Sequence, residues 1–276
     1  MHLSTALRQL LAAGDTVVMP DAYDPLSARI IERMGFPAVQ CSGFSMALSA
    51  CSPEPSFGLK RNVAATKAIC GAVKVPVMAD GEDGFGDVSA IPATISAFIE
   101  AGVAGINLED QVLGEPGPKR LIEMGAAVEK LQAARDAASE AGAADVIING
   151  RTDALAADPE GGLEEAIVRG NAYLEAGADL VFVVGVSTAE QVEKLVAGLQ
   201  GPLSIAAGMP NNMHLSLAEL KRLGVRRVSL PSLAIFSAIK AIQRSLQSVV
   251  DTEGFEELGA GEALVSMQDV MGLLAP

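Results

Sequence analysis

The stretch VPVMADGEDGFGD, residues 75–87, determines how the rest of the sequence is interpreted. It begins as an apolar run of strand length and continues into four carboxylates, at positions 80, 82, 83 and 87, spaced among three glycines. A short apolar run that ends in a polar, glycine-rich turn is typical of a buried parallel strand. In barrels of parallel strands, functional groups lie at the carboxyl ends of the strands. We therefore predict a strand that ends near Asp80 and a site that begins there.

Seven further apolar runs resemble this one, and helical stretches lie between them. They begin at residues 15, 37, 105, 145, 178, 203 and 226. Eight alternating strands and helices predict an α/β fold, a (β/α)8 TIM-type barrel, with a doubly wound open sheet as the alternative. The 276 residues match the size of one barrel, so we predict a single domain over residues 1–276. Its barrel core covers about residues 15–235, and an additional C-terminal helical extension covers residues 236–276.

The composition disfavours several classes of partner. The chain has 34 acidic and 20 basic residues, a net charge of −14, and no basic stripe, which disfavours nucleic acid. No apolar run reaches the length of a membrane span, and the first residues lack the basic start and long apolar run of a signal peptide. Cys41, Cys51 and Cys70 form no CxxC pair. We therefore predict a cytoplasmic protein with reduced thiols and neither nucleic acid nor membrane as a partner.

Carboxylates at two successive strand ends predict a metal site. Asp80 and Glu82 are two residues apart and point to the same side of an extended backbone, and Glu109 ends the next strand. Crowded carboxylates repel each other unless a cation lies among them, and oxygen ligands suit Mg²⁺ or Mn²⁺. Arg151 ends the fifth strand and is expected to bind a substrate carboxylate, with a structural pair to Asp153 as the alternative. The glycines of the acidic stretch allow sharp turns.

Other interpretations of these residues are weighed against the metal site. The acids could cap a helix or solvate a loop, and capping is the better interpretation of Asp87. GEDGFG matches neither phosphate-binding glycine motif. No lysine lies at a strand end, which disfavours an imine mechanism. His2 and His214 are the two histidines, so histidine catalysis would rest on His214, which follows strand 7 together with Asn211 and Asn212.

Four motifs together resemble the isocitrate lyase and phosphoenolpyruvate mutase superfamily. They are SGFS at 42–45, VMADGEDGFG at 77–86, INLEDQ at 106–111 and NGRTDAL at 149–155, and the resemblance spans about residues 15–235. It implies a Mg²⁺-dependent barrel that acts on small 2-oxo acids or related carboxylates. It also implies a homo-oligomer, a dimer of dimers whose C-terminal helices are exchanged between subunits.

The resemblance also implies roles for individual residues. Asp80, Glu82 and Glu109 match the metal-binding acids of the superfamily, and Glu54 matches a fourth. The backbone around Ser42, Gly43 and Phe44 is expected to hold the substrate carboxylate, with Arg151 on the other side.

Two loops depart from the superfamily pattern. The lyases carry a catalytic Cys in K-[KR]-C-G-H after strand 4, where this chain has VLGEPGPKRLIE, and P-E after strand 6, where it has VVGVS. Lys119 is present, but the Asn-Ser pair of phosphonopyruvate mutases is not. The resemblance thus covers the scaffold and the metal acids, and we expect residues 112–120 and 185–190 to set the substrate.

The leading functional hypothesis is a Mg²⁺-dependent lyase or decarboxylase that cleaves a C–C bond in a 2-oxo acid. The metal would stabilise the enolate, and Arg151 with the amides of Gly43 and Phe44 would orient the carboxylate. Tyr23, His214 and a metal-bound water are the candidates for the general acid. The alternatives are C–P chemistry of the phosphonopyruvate hydrolase or mutase type and a barrel that binds a 2-oxo acid without catalysis.

Overall fold

Eight parallel strands close into a barrel in the computed structural model, which describes residues 2–114, 117–260 and 264–274. Each strand pairs with its neighbours in sequence, and β8 pairs with β1. The predicted (β/α)8 barrel is therefore confirmed. The strands are β1 (Val17–Ala22), β2 (Val39–Cys41), β3 (Val77–Asp80), β4 (Gly105–Glu109), β5 (Ile147–Thr152), β6 (Leu180–Val183), β7 (Leu203–Ala206) and β8 (Arg227–Leu230).

Helices surround the barrel and continue beyond it at the C-terminus. Helix α11 is twenty residues long, and the short α12 and α13 follow it. The helices are α1 (Leu3–Ala12), α2 (Pro25–Arg33), α3 (Gly43–Ser49), α4 (Gly58–Ala72), α5 (Ile91–Ala101), α6 (Met124–Glu140), α7 (Ala154–Ala157), α8 (Gly162–Glu175), α9 (Ala189–Gly198), α10 (Leu217–Arg222), α11 (Leu233–Thr252), α12 (Glu256–Ala260) and α13 (Met267–Leu274). None of these helices has both the length and the apolar character that crossing a membrane requires.

An apolar floor closes the N-terminal end of the barrel. Leu7 and Leu11 on one face of α1 pack against inward side chains from the beginnings of the strands. The strand residues of this floor are Val17, Met19, Met78, Ile147 and Leu180. The open end of the barrel is therefore the C-terminal one, where the candidate residues lie.

The strand register defines the layers inside the barrel. Alternate strands of a (β/α)8 barrel contribute the side chains of each layer. The register puts one residue from each odd-numbered strand in the uppermost layer. The pairings that define it include Asp21 with Gln40, Asp80 with Asn107 and Arg151 with Phe182. Its members are Asp21, Asp80, Arg151 and Ala206. The even-numbered strands supply the layer beneath, which contains Gln40, Asn107, Phe182 and Ser229.

Replacing Gly81 by alanine is expected to destabilise the fold by about 1–3 kcal/mol, the usual cost of overpacking. A Cβ at Gly81 would lie 2.5 Å from the backbone oxygen of Asn107 and 2.9 Å from Ile106 Cγ2, so strand β4 would have to shift. The matched control is Gly71→Ala, at an exposed position of helix α4, where a Cβ meets open space and alanine is favoured. Denaturant unfolding of both variants checks this, and equal stabilities would contradict it.

Candidate active site

Asp80 lies at the centre of four carboxylates at the open end of the barrel. We call Glu54, Asp80, Glu82 and Glu109 the acid cluster. The Gly43 amide donates to Asp80 Oδ2 at 3.0 Å, and the Glu82 amide donates to Asp80 Oδ1 at 3.3 Å. The backbone at the start of α3 and in the loop after β3 thus fixes both oxygens of Asp80.

Gly43 brings α3 close to the acid cluster. A Cβ built on Gly43 would lie 3.1 Å from Glu82 Oε1 and 3.2 Å from Asp80 Oδ2. Both carboxylate oxygens therefore lie next to the first residue of α3. Glu82 itself adopts φ of 47°, in the left-handed region that a non-glycine residue rarely occupies. Such strain at a loop is typical of functional sites.

Asn62 of α4 supports the acid cluster from behind. Its Nδ2 donates to the backbone oxygen of Asp80 and to Glu82 Oε1, both at 3.1 Å. Asn62 is fully buried, and Thr66 donates to its Oδ1 at 3.3 Å. Helix α4 therefore helps to orient both acids that follow β3.

Arg151 links the acid cluster to a buried acid on its own strand. Its Nη1 lies 2.5 Å from Glu109 Oε2, while Nε and Nη2 donate to the two oxygens of Asp153 at 2.8 and 3.1 Å. Lys119 lies 2.5 Å from Asp153 Oδ1 and also donates to Gln111. Both interpretations of Arg151 are thus compatible with this geometry: it has the structural pair with Asp153 and lies beside the acid cluster.

The carboxylates of the cluster oppose each other's ionisation. Burial raises the pKa of Glu82 to about 8, and the charge of Asp80 adds to the shift. Burial and Asp80 also raise the pKa of Glu54 to about 7, while Arg151 and Lys119 act against the rise. Burial raises the pKa of Glu109 well above its usual value despite Arg151. A cation among these acids would relieve this repulsion.

Without divalent metal, the protein is expected to lose stability as the pH rises from about 5 to about 8. The pKa of Glu82 rises from 4.5 in the unfolded chain to about 8 in the folded protein, and that of Glu54 rises to about 7. The folded state therefore holds these protons more tightly and loses stability as they dissociate.

Melting temperatures in EDTA across this pH range measure the loss. Added Mg²⁺ is expected to raise the melting temperature more at the upper end of the range than at the lower end. A melting temperature in EDTA that stays level or rises with pH would contradict the expectation.

The remaining predicted site residues divide into two groups. Ser42 is buried, and its side chain caps α3 by accepting from the Ser45 amide at 3.2 Å. Phe44 is half-exposed and meets Phe236 edge to face, with ring centres 6.3 Å apart. Tyr23, at the end of β1, is partly buried, and burial raises its pKa. These three residues therefore lie on the β1 and β2 side of the open end.

Asn211 and His214 are the two predicted site residues that follow β7. Both are exposed in the connection between β7 and α10, and within the described ranges neither forms a hydrogen bond with the cluster. Their neighbour Asn212 is buried and donates to the backbone oxygens of Val186 and Ala206. Asn212 therefore holds this connection in place.

Other acids near the strand ends have structural partners. Asp87 is exposed and accepts from the Ser89 amide at 2.9 Å, so the capping interpretation agrees with its geometry. Asp110 is buried and accepts from the Tyr173 hydroxyl at 2.6 Å and from the Asp153 amide at 2.9 Å. These contacts hold the ends of β4 and β5 together.

Several polar residues inside the barrel were not among the predicted site residues. Asp21 is in the same layer as Asp80 and Arg151, and Gln40 and Arg227 lie beneath it, all three buried. A charged residue within an otherwise apolar strand is a sequence signal for such a site, because unpaired charges are rarely buried. Asn62 carries no comparable signal, since it lies on a helix of ordinary composition.

The fold and the site together define a class of protein. A closed barrel of eight parallel strands, with acids and an arginine grouped at the carboxyl ends of the strands, is the architecture of (β/α)8-barrel enzymes. The family model described as phosphoenolpyruvate phosphomutase matches residues 7–250. The chain belongs to this family, and its predicted place in the isocitrate lyase and phosphoenolpyruvate mutase superfamily is confirmed.

Relatives of known activity cover most of the chain. A 2,3-dimethylmalate lyase from Eubacterium barkeri is 34% identical over 250 residues, which are 88% of this chain and 84% of that protein. An oxaloacetate decarboxylase from Pseudomonas entomophila (strain L48) is 34% identical over 93% of this chain and 90% of that protein. A phosphonopyruvate hydrolase solved with oxalate and Mg²⁺ superimposes with a TM-score of 0.88 at 27% identity, covering 99% of this chain and 95% of that one.

Proposed function

We propose that this protein is a Mg²⁺-dependent carbon–carbon lyase that cleaves a small 2-oxo acid or a related carboxylate. The observation that carries the proposal is Asp80, held by the Gly43 amide at the centre of the acid cluster, with Arg151 beside Glu109. The lyase and decarboxylase activities of the two relatives support the same class of reaction. We propose Mg²⁺ as the cofactor, with Mn²⁺ as the alternative.

The acid cluster fits a hydrated magnesium ion. Among the described residues, no three His, Cys, Asp or Glu side chains converge closely enough to enclose an ion by themselves. Mg²⁺ usually keeps several waters and binds one or two protein carboxylates. Asp80 would hold the ion, and Glu54, Glu82 and Glu109 would hold its waters. The ion would supply Lewis-acid polarisation of the 2-oxo group.

Arg151 is proposed to bind and orient the substrate carboxylate. A guanidinium has five N–H groups, and Glu109 and Asp153 use three of those of Arg151. Its remaining donors can bind a carboxylate while the two acids fix the plane of the group. The Gly43 amide is directed at Asp80, so we assign the opposing backbone contact to the amide of Phe44, the next residue of α3.

Decarboxylation of a 2-oxo dicarboxylate is the reaction that this residue set supports best. Cleavage of a 2-hydroxy acid requires a base to remove the hydroxyl proton, but the loop at 112–123 contains neither Cys nor His. Loss of carbon dioxide requires only that electrons flow into a polarised 2-oxo group. Residues 115 and 116 of this loop lie outside the described residues. For the general acid, Tyr23 and His214 remain predictions.

A substrate panel with Mg²⁺ or EDTA tests the proposed function. The panel contains oxaloacetate, 2-methylisocitrate, isocitrate, dimethylmalate and phosphonopyruvate, and pyruvate, glyoxylate and phosphate are measured. Because free Mg²⁺ itself can promote oxaloacetate decarboxylation, each rate is compared with the same buffer containing the Asp80→Asn protein.

Metal-dependent pyruvate formation above that background is expected. Phosphate release from phosphonopyruvate would instead indicate C–P chemistry. Saturable 2-oxo acid binding without consumption of any substrate would indicate a binding protein.

We also propose a homo-oligomer, a dimer of dimers that exchanges its C-terminal extension. An exposed apolar stripe runs along α11 and supports this assembly, since a stripe of this size favours a protein contact. Its residues are Leu233, Phe236, Ile239, Ile242, Leu246 and Val250. Residues 261–263 and 275–276 of the extension lie outside the described residues. Light scattering on the purified protein is expected to give four times the chain mass, and a monomer would contradict this.

Two further parts of the proposal concern the organisation and location of the chain. We propose that residues 1–276 act as one domain, since strands from β1 to β8 all contribute to one barrel. We propose a cytoplasmic location, which the three free thiols support.

A further inference from the structure

Arg227 is a buried cation inside the barrel with an incomplete set of partners. Its side chain is fully buried, donates to Ser204 Oγ at 2.8 Å and to Gln40 Oε1, and lies 5.4 Å from the centre of the Phe182 ring. Its Nε meets no acceptor among the described residues. An unfilled donor on a buried charge carries a large desolvation cost, so this N–H is expected to have a ligand.

Asp21, in the uppermost layer, has a hydrogen-bond acceptor that also lacks a partner within the described ranges. Only 6% of its surface is exposed, and its Oδ1 meets no donor among the described residues. Asp21 and Arg227 influence each other's ionisation, although no ion pair within 4.0 Å joins them in the described part of the chain. A buried acceptor and a buried donor that are near but not in contact form the setting in which proteins hold an ordered water.

The register places this pair directly at the candidate active site. Asp21 shares the uppermost layer with Asp80 and Arg151, and these two residues and Arg227 are the charged groups that act on it. Asp21 therefore lies in the layer that adjoins the place where the proposed substrate would lie.

We propose that Asp21 Oδ1 and Arg227 Nε hold one water molecule and that this water delivers the proton to the enolate product. The inference rests on the proposed function, because it supplies the general acid that a lyase reaction requires. Both residues act through the water and are positioning residues.

The proton transfer balances without another reactant. The enolate electron pair forms a C–H bond as an O–H bond of the water breaks, and the Asp21 carboxyl returns a proton to the resulting hydroxide. Burial raises the pKa of Asp21 to about 8, although Arg227 opposes the rise, so the carboxyl carries that proton at neutral pH. Solvent then restores the proton to Asp21.

The test compares Asp21→Asn with Thr16→Val in the full-length protein with Mg²⁺. The asparagine keeps the shape of the side chain but cannot return a proton. Thr16 precedes the same strand at the far end of the barrel and donates to the Val225 oxygen at 2.6 Å, so its change also removes a hydrogen bond. The measurements are oxaloacetate turnover, NMR-detected exchange of pyruvate methyl protons in D₂O, and melting temperature.

Asp21→Asn is expected to lower both kcat and the pyruvate exchange rate by about 100-fold, with KM within about twofold of the unaltered protein. Thr16→Val is expected to leave both rates within about twofold. Unchanged turnover and exchange in Asp21→Asn would overturn the proton route.

A crystal structure of the unaltered protein tests the water site even if the Asp21 variant does not fold. A water within about 3.2 Å of both Asp21 Oδ1 and Arg227 Nε supports the proposal, and its absence overturns it. If the unaltered protein turns over no substrate, the proposed function and the proton route both fail. If the unaltered protein is active and Asp21→Asn is equally active, the failure belongs to this inference alone.

Discussion

Asp80→Asn is expected to lower kcat by about 1,000-fold or more, because loss of the Lewis acid removes several kcal/mol of stabilisation of the transition state. Asp80 is the acid that accepts from the Gly43 and Glu82 amides, and we propose that it holds the metal. An asparagine in its place has no charge to attract a divalent cation. Mg²⁺ titration by calorimetry is expected to show loss of binding together with loss of turnover.

The same substitution is expected to stabilise the metal-free protein. The charge of Asp80 contributes to the raised pKa values of Glu54, Glu82 and Glu109, so its removal relieves repulsion. The melting temperature in EDTA should therefore rise while activity disappears, a combination that general misfolding cannot produce.

Asp87→Asn is the matched control for Asp80→Asn. It makes the same chemical change in the same loop, at an exposed capping residue, and is expected to leave kcat within about twofold. Retention of full Mg²⁺-dependent turnover by Asp80→Asn would reject the proposed metal site.

Arg151→Met is expected to lower kcat/KM by about 100-fold or more, since a bidentate, charge-assisted contact to the substrate would be lost. It also leaves Glu109 and the fully buried Asp153 without their main cation. Burial favours a raised pKa for Asp153, but Arg151 and Lys119 outweigh it and hold the pKa below its usual value. Removing one partner of such a buried pair costs about 3–5 kcal/mol of stability.

Arg169→Met separates the kinetic effect from the structural one. Arg169 is also buried and pairs with Asp110 at 3.4 Å and with Glu165 at 2.6 Å, but it contacts no member of the acid cluster among the described residues. We expect it to lower the melting temperature while kcat/KM per folded molecule stays within about threefold. Equal kinetic losses in the two variants would show that Arg151 acts through stability alone.

The fold and the principal acids could be predicted from the sequence because both depend on local order along the chain. Asp80, Glu109 and Arg151 each end an apolar run, and parallel strands in a barrel bring such ends to one opening. The capping interpretation of Asp87 likewise needed only its position before a helical turn.

Contacts between distant segments could not be predicted in this way. Asn62 reaches Asp80 and Glu82 from a helix that precedes them, and nothing in its sequence neighbourhood marks it. The Gly43 amide faces Asp80, a contact that depends on how closely α3 approaches the end of β3. The electrostatic influence of Arg227 on Asp21 depends on closure of β8 against β1, which no local pattern encodes.

The apolar floor formed with α1 has a consequence for the order of kinetic events. Leu7 and Leu11 close the N-terminal end of the barrel. The reactant and both fragments of its cleavage must therefore pass through the opening at the C-terminal end. A fragment bound there excludes the next reactant, so the two fragments leave in sequence. The carboxylate-bearing fragment, anchored by charge, would depart last and act as a competitive inhibitor.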